Sequence, residues 1–302
     1  MRKKSLSFLL AGLISVVLVA CGEEEPNQDS SEEEGLQIVT SFSILADLAQ
    51  EVAGDRSSVE YIVPIGEDPH GYEPVPSDFQ KVSDSDVFYV NGLGLEGWLQ
   101  RLVENVGDVN TVEVSQGLTT IPLEGQDGED PHAWLAVSNA IHYVEVIRDD
   151  LIERDPEGKA IYTENAEAYI QELEELDSLI QEELSAIEES KRTIVVSENA
   201  FRYFGEAYGI ETEGIWELNS HEEGTPGQIA RVVDLIQDKG LPAVFVETTV
   251  NQQYMETVAS NANVTIAGEV YTDAVGLDGS GAETYITMME HNARTFADGL
   301  TQ

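Results

Sequence analysis

Apolar and polar positions follow two patterns along this chain, one with a period of two residues and one with a period near 3.6. Short runs rich in β-branched and aromatic residues predict strands, and longer periodic segments predict helices. The predicted strands are 37–41, 59–64, 87–90 and 111–114, followed by 193–197, 214–218, 243–247 and 264–267. Helices are predicted between the early strands and at 201–208, 226–238, 252–261 and 284–300. Such alternation predicts an α/β fold with mainly parallel sheets.

The most helical segment lies between the two series of strands. Asp155 and Pro156 provide an N-cap and a first helical proline, and an apolar stripe at steps of three and four continues to residue 190. A coiled-coil arm would show the same stripe, but its position between two α/β series favours a helix that packs on both. We therefore predict two lobes, 36–155 and 191–302, each with a mainly parallel four-stranded sheet flanked by helices, joined by one long α-helix at 156–190.

The first 20 residues have the pattern of a signal peptide. Three basic residues precede an apolar run of about 15 residues, which is shorter than the ~20 residues that a spanning helix needs. Cys21, the only cysteine, follows this run, and the sequence Leu-Val-Ala-Cys-Gly resembles the lipobox of bacterial lipoproteins. A plain membrane anchor and a chance thiol are the alternatives. We predict a lipidated Cys21 and, because 21–35 is acidic without periodic apolar positions, a disordered tether.

The chain is strongly acidic. It has 15 Lys and Arg residues against 58 Asp and Glu residues, a formal net charge of −43. This charge excludes nucleic acid as a partner. It suits the attraction of small cations, but it also suits solubility in a salty or alkaline medium, so charge alone does not decide the function.

Two loops carry the same tetrad, Glu-Asp-Pro-His, and end in His70 and His132. Proline fixes its own φ and restricts the residue before it, so each histidine lies on a stiff loop, as suits a metal ligand. In the second series, Glu198 and Asp273 each follow a predicted strand. Ligands bind at the carboxyl ends of strands in open α/β sheets. From the residues alone, a helix cap explains either acid more simply.

From about residue 39 to its end, the chain resembles the solute-binding lipoproteins of manganese and zinc ABC importers, known as the cluster A-I or cluster 9 family. The segments that carry the resemblance are IVPIGEDPHGYEP at 62–74, EDPHAWL at 129–135, SENAFRYF at 197–204, EEGTP at 222–226 and YTD at 271–273. By this resemblance, the four metal ligands of the family fall on His70, His132, Glu198 and Asp273. The long helix that links the lobes of the family corresponds to 156–190.

The choice of metal depends on the ligand types. Two neutral imidazoles and two carboxylates compensate a divalent cation, and hard oxygen ligands favour Mn²⁺. The resemblance implies a histidine in place of Glu198 and a His-rich acidic loop in zinc-specific members, whereas 117–129 contains no histidine. We therefore predict Mn²⁺ as the transported ligand, with Zn²⁺ or Fe²⁺ as alternatives.

The resemblance implies a lipid-anchored monomer on the extracytoplasmic face of the bacterial cell membrane. It would capture the metal ion and deliver it to the permease of an ABC importer, whose separate ATPase subunit uses ATP. Lipoproteins of this family have also been described as adhesins. A metal-dependent hydrolase is a further alternative, but it needs an open coordination position and a general base, and we predict no enzyme. His142, His221 and His291 are predicted to have surface or packing roles.

Overall fold

The computed structural model describes residues 35–107, 109–219 and 224–302. The predicted signal peptide, Cys21, all but the last residue of the predicted tether and His221 lie outside these ranges. The strands are β1 Gln37–Thr40, β2 Ser58–Tyr61, β3 Val87–Val90, β4 Thr111–Glu113, β5 Thr193–Glu198, β6 Glu211–Trp216, β7 Ala243–Glu247 and β8 Thr265–Val270. The α-helices are α1 Ser43–Ala53, α2 Pro76–Ser83, α3 Leu99–Val106, α4 Val137–Arg154, α5 Lys159–Ser185, α6 Arg202–Tyr208, α7 Pro226–Lys239, α8 Gln253–Ala262 and α9 Tyr285–Leu300.

The first four strands form one parallel sheet in the order β2-β1-β3-β4. All four residues of β3 are buried, as expected for a strand with helices on both faces of the sheet. The sheet that we predicted for the N-terminal half is therefore present. Its parallel strands bring the loops that follow them to one edge.

The second series of strands differs in detail from the single four-stranded sheet that we predicted. β5 pairs with β6 and β7 pairs with β8, both in parallel, and β5 lies next to β7 without a shared ladder. At the end of β5, the backbone N–H groups of Ser197 and Glu198 donate to the carboxylate of Glu247 in β7. A side chain thus takes the place that backbone carbonyls occupy in a continuous sheet.

β6 begins three residues earlier than predicted. The prediction was too late because the first three residues of the strand are polar and Gly214 follows them. The glycine is required by a close approach of two backbones. A Cβ at position 214 would lie 2.4 Å from the carbonyl oxygen of Trp216 and 2.5 Å from the backbone nitrogen of Asn199. Glycine inside a strand often marks such an approach.

Helix α5 begins at Lys159, and Pro156–Gly158 before it form a short 3₁₀ turn. Asp155 caps this turn by accepting a hydrogen bond from the backbone of Gly158. The α-helix therefore has 27 residues, about 40 Å, instead of the longer helix that we predicted. None of the described helices has the length and apolar character needed to cross a membrane.

The apolar stripe of α5 is buried along its whole length. α5 packs on α1 and α4 of the N-terminal half and on α9 of the C-terminal half, so the coiled-coil arm is excluded. The main core runs through both halves, and a smaller core lies between the second series of strands and α7 and α8. Residues 35–302 cluster as one compact unit, and the predicted lobe boundaries at 155 and 190 stay a prediction.

Candidate metal centre

Both Asp-Pro-His segments form the same local turn. The Asp68 side chain accepts a hydrogen bond from the backbone N–H of His70 at 2.8 Å, and Asp130 does the same for His132 at 2.9 Å. Aspartate stabilises such turns by bonding the backbone two residues ahead. The two Nε2 atoms face each other at 3.2 Å. The repeated tetrad therefore orients both imidazoles through the same local turn.

Buried side chains hold the proline carbonyl before each histidine. The indole of Trp98 donates to the carbonyl of Pro69 at 2.9 Å, and the amide of Asn91 donates to that of Pro131 at 2.9 Å. The carboxylate of Glu96 in turn accepts from the backbone of Asn91 at 2.7 Å. The histidine loops are therefore fixed on the sheet edge by the fold as well as by their own turns.

His132 has a further partner that sets its tautomer. Its Nδ1 donates to Asp130 at 2.9 Å, which leaves Nε2 free to bind a cation when the ring is neutral. Burial, and to a smaller extent the neighbouring His132, lower the pKa of His70 to about 4. For His132 burial also acts downward, but the carboxylate of Glu198 and the hydrogen bond to Asp130 outweigh it and raise the pKa to about 9.

The two acids come from the C-terminal half. Glu198 is the last residue of β5 and Asp273 follows β8 by three residues, and both are buried. Glu198 accepts a hydrogen bond from the backbone of Asn219 at 2.7 Å, and Asp273 accepts from the hydroxyls of Thr249 and Thr272, each at 2.9 Å. Burial raises the pKa of Glu198 well above its usual range.

One oxygen of each acid, Oε2 of Glu198 and Oδ1 of Asp273, has no hydrogen-bond partner among the described residues. An unsatisfied carboxylate oxygen in a protein interior is costly, by roughly 1–3 kcal/mol or more for a charged group. Here both acids lie beside the imidazoles. The two unpartnered oxygens therefore favour a bound cation at this position.

The four side chains converge at the spacing of a metal site. Their ligand atoms all lie within 4.8 Å of one another. From the histidine Nε2 atoms to Oε1 of Glu198 and Oδ1 of Asp273, the distances are 3.6–4.0 Å. A tetrahedral ion with bonds of about 2.1 Å separates its ligand atoms by about 3.4 Å. A divalent cation fits between them after a small contraction.

The other histidines of the described chain bind backbone carbonyls. His142 lies 2.9 Å from the oxygen of Gln116 and His291 lies 2.9 Å from that of Glu269. Within the described ranges, the only group of three or more His, Cys, Asp or Glu residues with ligand spacing is the one that contains His70. Packing roles for these two histidines agree with our prediction.

The residues that support the ligands were not predicted from the sequence. These include Asn91, Trp98, Thr249 and Glu247. For Glu247 a signal existed, because it ends the buried strand AVFVE in the same way that Glu198 ends TIVVSE. Asn91 and Thr249 are polar residues outside the helices and strands, and Trp98 directly precedes α3, so none of the three belongs to a periodic pattern.

Comparison with known proteins identifies the family. Residues 38–299 match the model of ZnuA, described as the periplasmic component A of a zinc-uptake complex. The chain belongs to this family. The resemblance recognised in the motifs is thereby confirmed, although the metal in the family description differs from the one that we predicted.

Relatives within the family are named for different metals. The chain is 65% identical, over the full length of both proteins, to the manganese-binding lipoprotein MntA of Halalkalibacterium halodurans. It is 39% identical to the metal ABC transporter substrate-binding lipoprotein FimA of Streptococcus parasanguinis, covering 99% of this chain and 100% of that protein. It is also 39% identical to the iron ABC transporter substrate-binding lipoprotein MtsA of Streptococcus pyogenes, covering 99% of each.

Solved structures show the same fold. The periplasmic zinc-binding protein TroA of Treponema pallidum superposes with a TM-score of 0.84 at 26% identity, covering 89% of this chain and 100% of that one. A manganese-bound periplasmic metal-binding protein of Candidatus Liberibacter asiaticus gives a TM-score of 0.80 at 26% identity, covering 87% and 98%. The α/β class with parallel sheets is thus confirmed, and the fold is shared by proteins named for zinc and for manganese.

Proposed function

We propose that this protein is the substrate-binding lipoprotein of a metal ABC importer and that His70, His132, Glu198 and Asp273 hold its cargo. The supporting observation is the convergence of four ligand atoms from four distant segments, three of them on buried residues, with two carboxylate oxygens left unpartnered. Two ligands come from each half of the chain. Release of the ion requires the two pairs to separate.

The cargo that best fits this donor set is Mn²⁺. Two oxygen and two nitrogen donors are harder than a thiolate or all-imidazole site and suit manganese, although Zn²⁺ binds most such sites more tightly. The unpartnered Oε2 of Glu198 allows this acid to offer a second oxygen, which a metal with more than four ligands uses. The name of the 65% identical relative supports the same choice. Zn²⁺ and Fe²⁺ are the alternatives.

Capture and delivery involve no change of covalent bonds, and we infer that the protein is not an enzyme. Four protein ligands complete a tetrahedral site, whereas a hydrolytic centre keeps an open position for water beside a general base. Anchoring through Cys21 places the binding domain on the extracytoplasmic face of the membrane. Its partners there are the permease and the ATPase subunit of the importer, and the protein acts as a monomer.

Metal titration of the purified protein tests this proposal. We expect one tightly bound Mn²⁺ per chain and a loss of more than about 100-fold in affinity for His70→Ala and Asp273→Ala, because each removes a ligand and leaves its partners buried. His291→Ala is the control, since this histidine binds the carbonyl of Glu269. Absence of tight binding in the unaltered protein, or unchanged affinity in both variants, contradicts the proposal.

A second experiment separates the metals. In a manganese-starved host that depends on this importer, we expect growth to be restored by added Mn²⁺. If only Zn²⁺ restores growth, then manganese is not the cargo.

A further inference from the structure

Glu247 is a buried carboxylate beside the metal centre that is not a member of the ligand group. It is the last residue of β7. Its Oε1 accepts hydrogen bonds from the backbone N–H groups of Glu198 at 2.8 Å and Ser197 at 3.1 Å, and its Oε2 accepts from Ser197 at 3.0 Å. The Glu247 side chain therefore binds two consecutive backbone N–H groups, and the second of them belongs to the proposed metal ligand Glu198.

This arrangement changes the course of β5. Successive N–H groups of a regular strand point to opposite neighbours, so one carboxylate reaches both only where the strand leaves its regular path. On the next residue, the N–H of Asn199 donates to the carbonyl of Trp216 at 3.0 Å. The end of β5 is thus held from β7 and from β6, at the point where Glu198 turns toward the histidines.

A related arrangement occurs in the N-terminal half and shows what is particular to Glu247. There Glu96 is also buried, and it accepts from the consecutive N–H groups of Asn91 at 2.7 Å and Gly92 at 3.2 Å. Glu96 reaches the metal centre only through Asn91, which binds the carbonyl of Pro131. Glu247 binds the backbone of the ligand itself, so its effect on the site is more direct.

We infer that Glu247 is a positioning residue that fixes Glu198 for Mn²⁺ and thereby contributes to the preference for manganese over zinc; this inference rests on the proposed function. Partners of metal ligands set ligand orientation and are worth 10–100-fold in affinity. A loosely held Glu198 still offers one oxygen to a tetrahedral Zn²⁺. A manganese ion that takes up both oxygens of Glu198 needs the carboxylate in one orientation.

The test is Glu247→Gln, which keeps the shape of the side chain but replaces one acceptor with an amide that faces an N–H group. We expect the affinity for Mn²⁺ to fall about 10–100-fold and that for Zn²⁺ to fall less, measured by titration. The electron paramagnetic resonance spectrum of bound Mn²⁺ should change, because the carboxylate orientation changes. Glu247→Asp keeps the charge but shortens the side chain by one methylene. It should change the metal affinities and the spectrum in the same direction, and it replaces Glu247→Gln as the test if that variant does not fold.

The control for a loss of stability alone is Asp155→Asn. Asp155 binds Arg56 and Gly158 at the junction of α4 and α5, outside the metal centre. This variant should unfold at a lower temperature with unchanged metal affinities and an unchanged spectrum. If Glu247→Gln behaves like Asp155→Asn, then Glu247 has only a structural role and the inference is overturned. Failure of the proposed function is distinguishable, because the unaltered protein would then lack tight metal binding.

Discussion

The two halves of the chain present their ligands to the metal centre in different ways. In the N-terminal half, His70 and His132 are each oriented by an aspartate two residues earlier. In the C-terminal half, Glu198 depends on Asn219 and Glu247, 21 and 49 residues away. The orientation of each imidazole is therefore set by a local turn, although Trp98 and Asn91 also hold the two loops from a distance. The orientation of Glu198 depends on distant residues alone among these contacts.

The halves also differ in charge. His70 is neutral at ordinary pH, because its pKa is about 4. The acids supply the negative charge, and burial makes that charge costly until a cation arrives. We therefore expect the C-terminal half to contribute most to the preference for one cation over another.

Replacing Glu198 with histidine would put an imidazole on the side of the centre that provides only carboxylates. In Glu198→His the centre has three nitrogen donors and one oxygen donor, and the affinity for Mn²⁺ should fall by about 100-fold or more while that for Zn²⁺ falls less. Competition titration of both ions against the unaltered protein measures the change in preference. Equal losses for the two ions would show that Glu198 does not determine the choice of metal.

The charge difference also predicts how binding depends on pH. Because the pKa of His132 is about 9, this ring carries a proton in the metal-free protein at neutral pH, and the metal must displace it. The raised pKa of Glu198 acts in the same direction, since this acid must also be ionised to bind the metal. The affinity for Mn²⁺ should therefore rise by at least about tenfold per pH unit between pH 6 and 8, and the gain is lost as pH falls. His70 adds no dependence in this range, since its pKa is about 4.

Calorimetric titration in buffers of different ionisation enthalpy measures the released protons directly. We expect at least one proton per Mn²⁺ at pH 7, where His132 is protonated before binding. Release of no proton would contradict the charge state that we assign to the metal-free centre. The affinities of His291→Ala, measured at the same pH values, control for general effects of pH on the protein.

Features with a local signal in the sequence were predicted, and contacts between distant residues were not. β3 has a continuous apolar run and was predicted at its observed bounds, and the repeated tetrad indicated both histidines. β6 was placed too late, because its first residues, Glu211 to Glu213, are polar and Gly214 follows. Asn219 and Thr249, which support the acids, could not be predicted, since they act over long sequence distances without a periodic signal. Glu247 does end a buried strand, but nothing in the sequence indicates which backbone it binds.

Thr249→Val tests whether more than one hydrogen bond holds Asp273 in place. Thr249 and Thr272 both donate to the same oxygen of Asp273, so Thr249→Val, which keeps the shape but removes one hydroxyl, leaves the other in place. We expect the affinity for Mn²⁺ to fall by about tenfold or less, since one hydrogen bond to a charged group is worth about 1.5–3 kcal/mol before its neighbour compensates.

Thr257→Val is the matched control for this variant. Thr257 lies on the exposed face of α8, and its hydroxyl donates to the carbonyl of Gln253. Titration of both variants with Mn²⁺ should show a loss only for Thr249→Val. A loss there as large as that of Asp273→Ala would mean that Thr272 gives no independent support. The acid would then depend on one distant contact, and the C-terminal half would be the more fragile side of the metal centre.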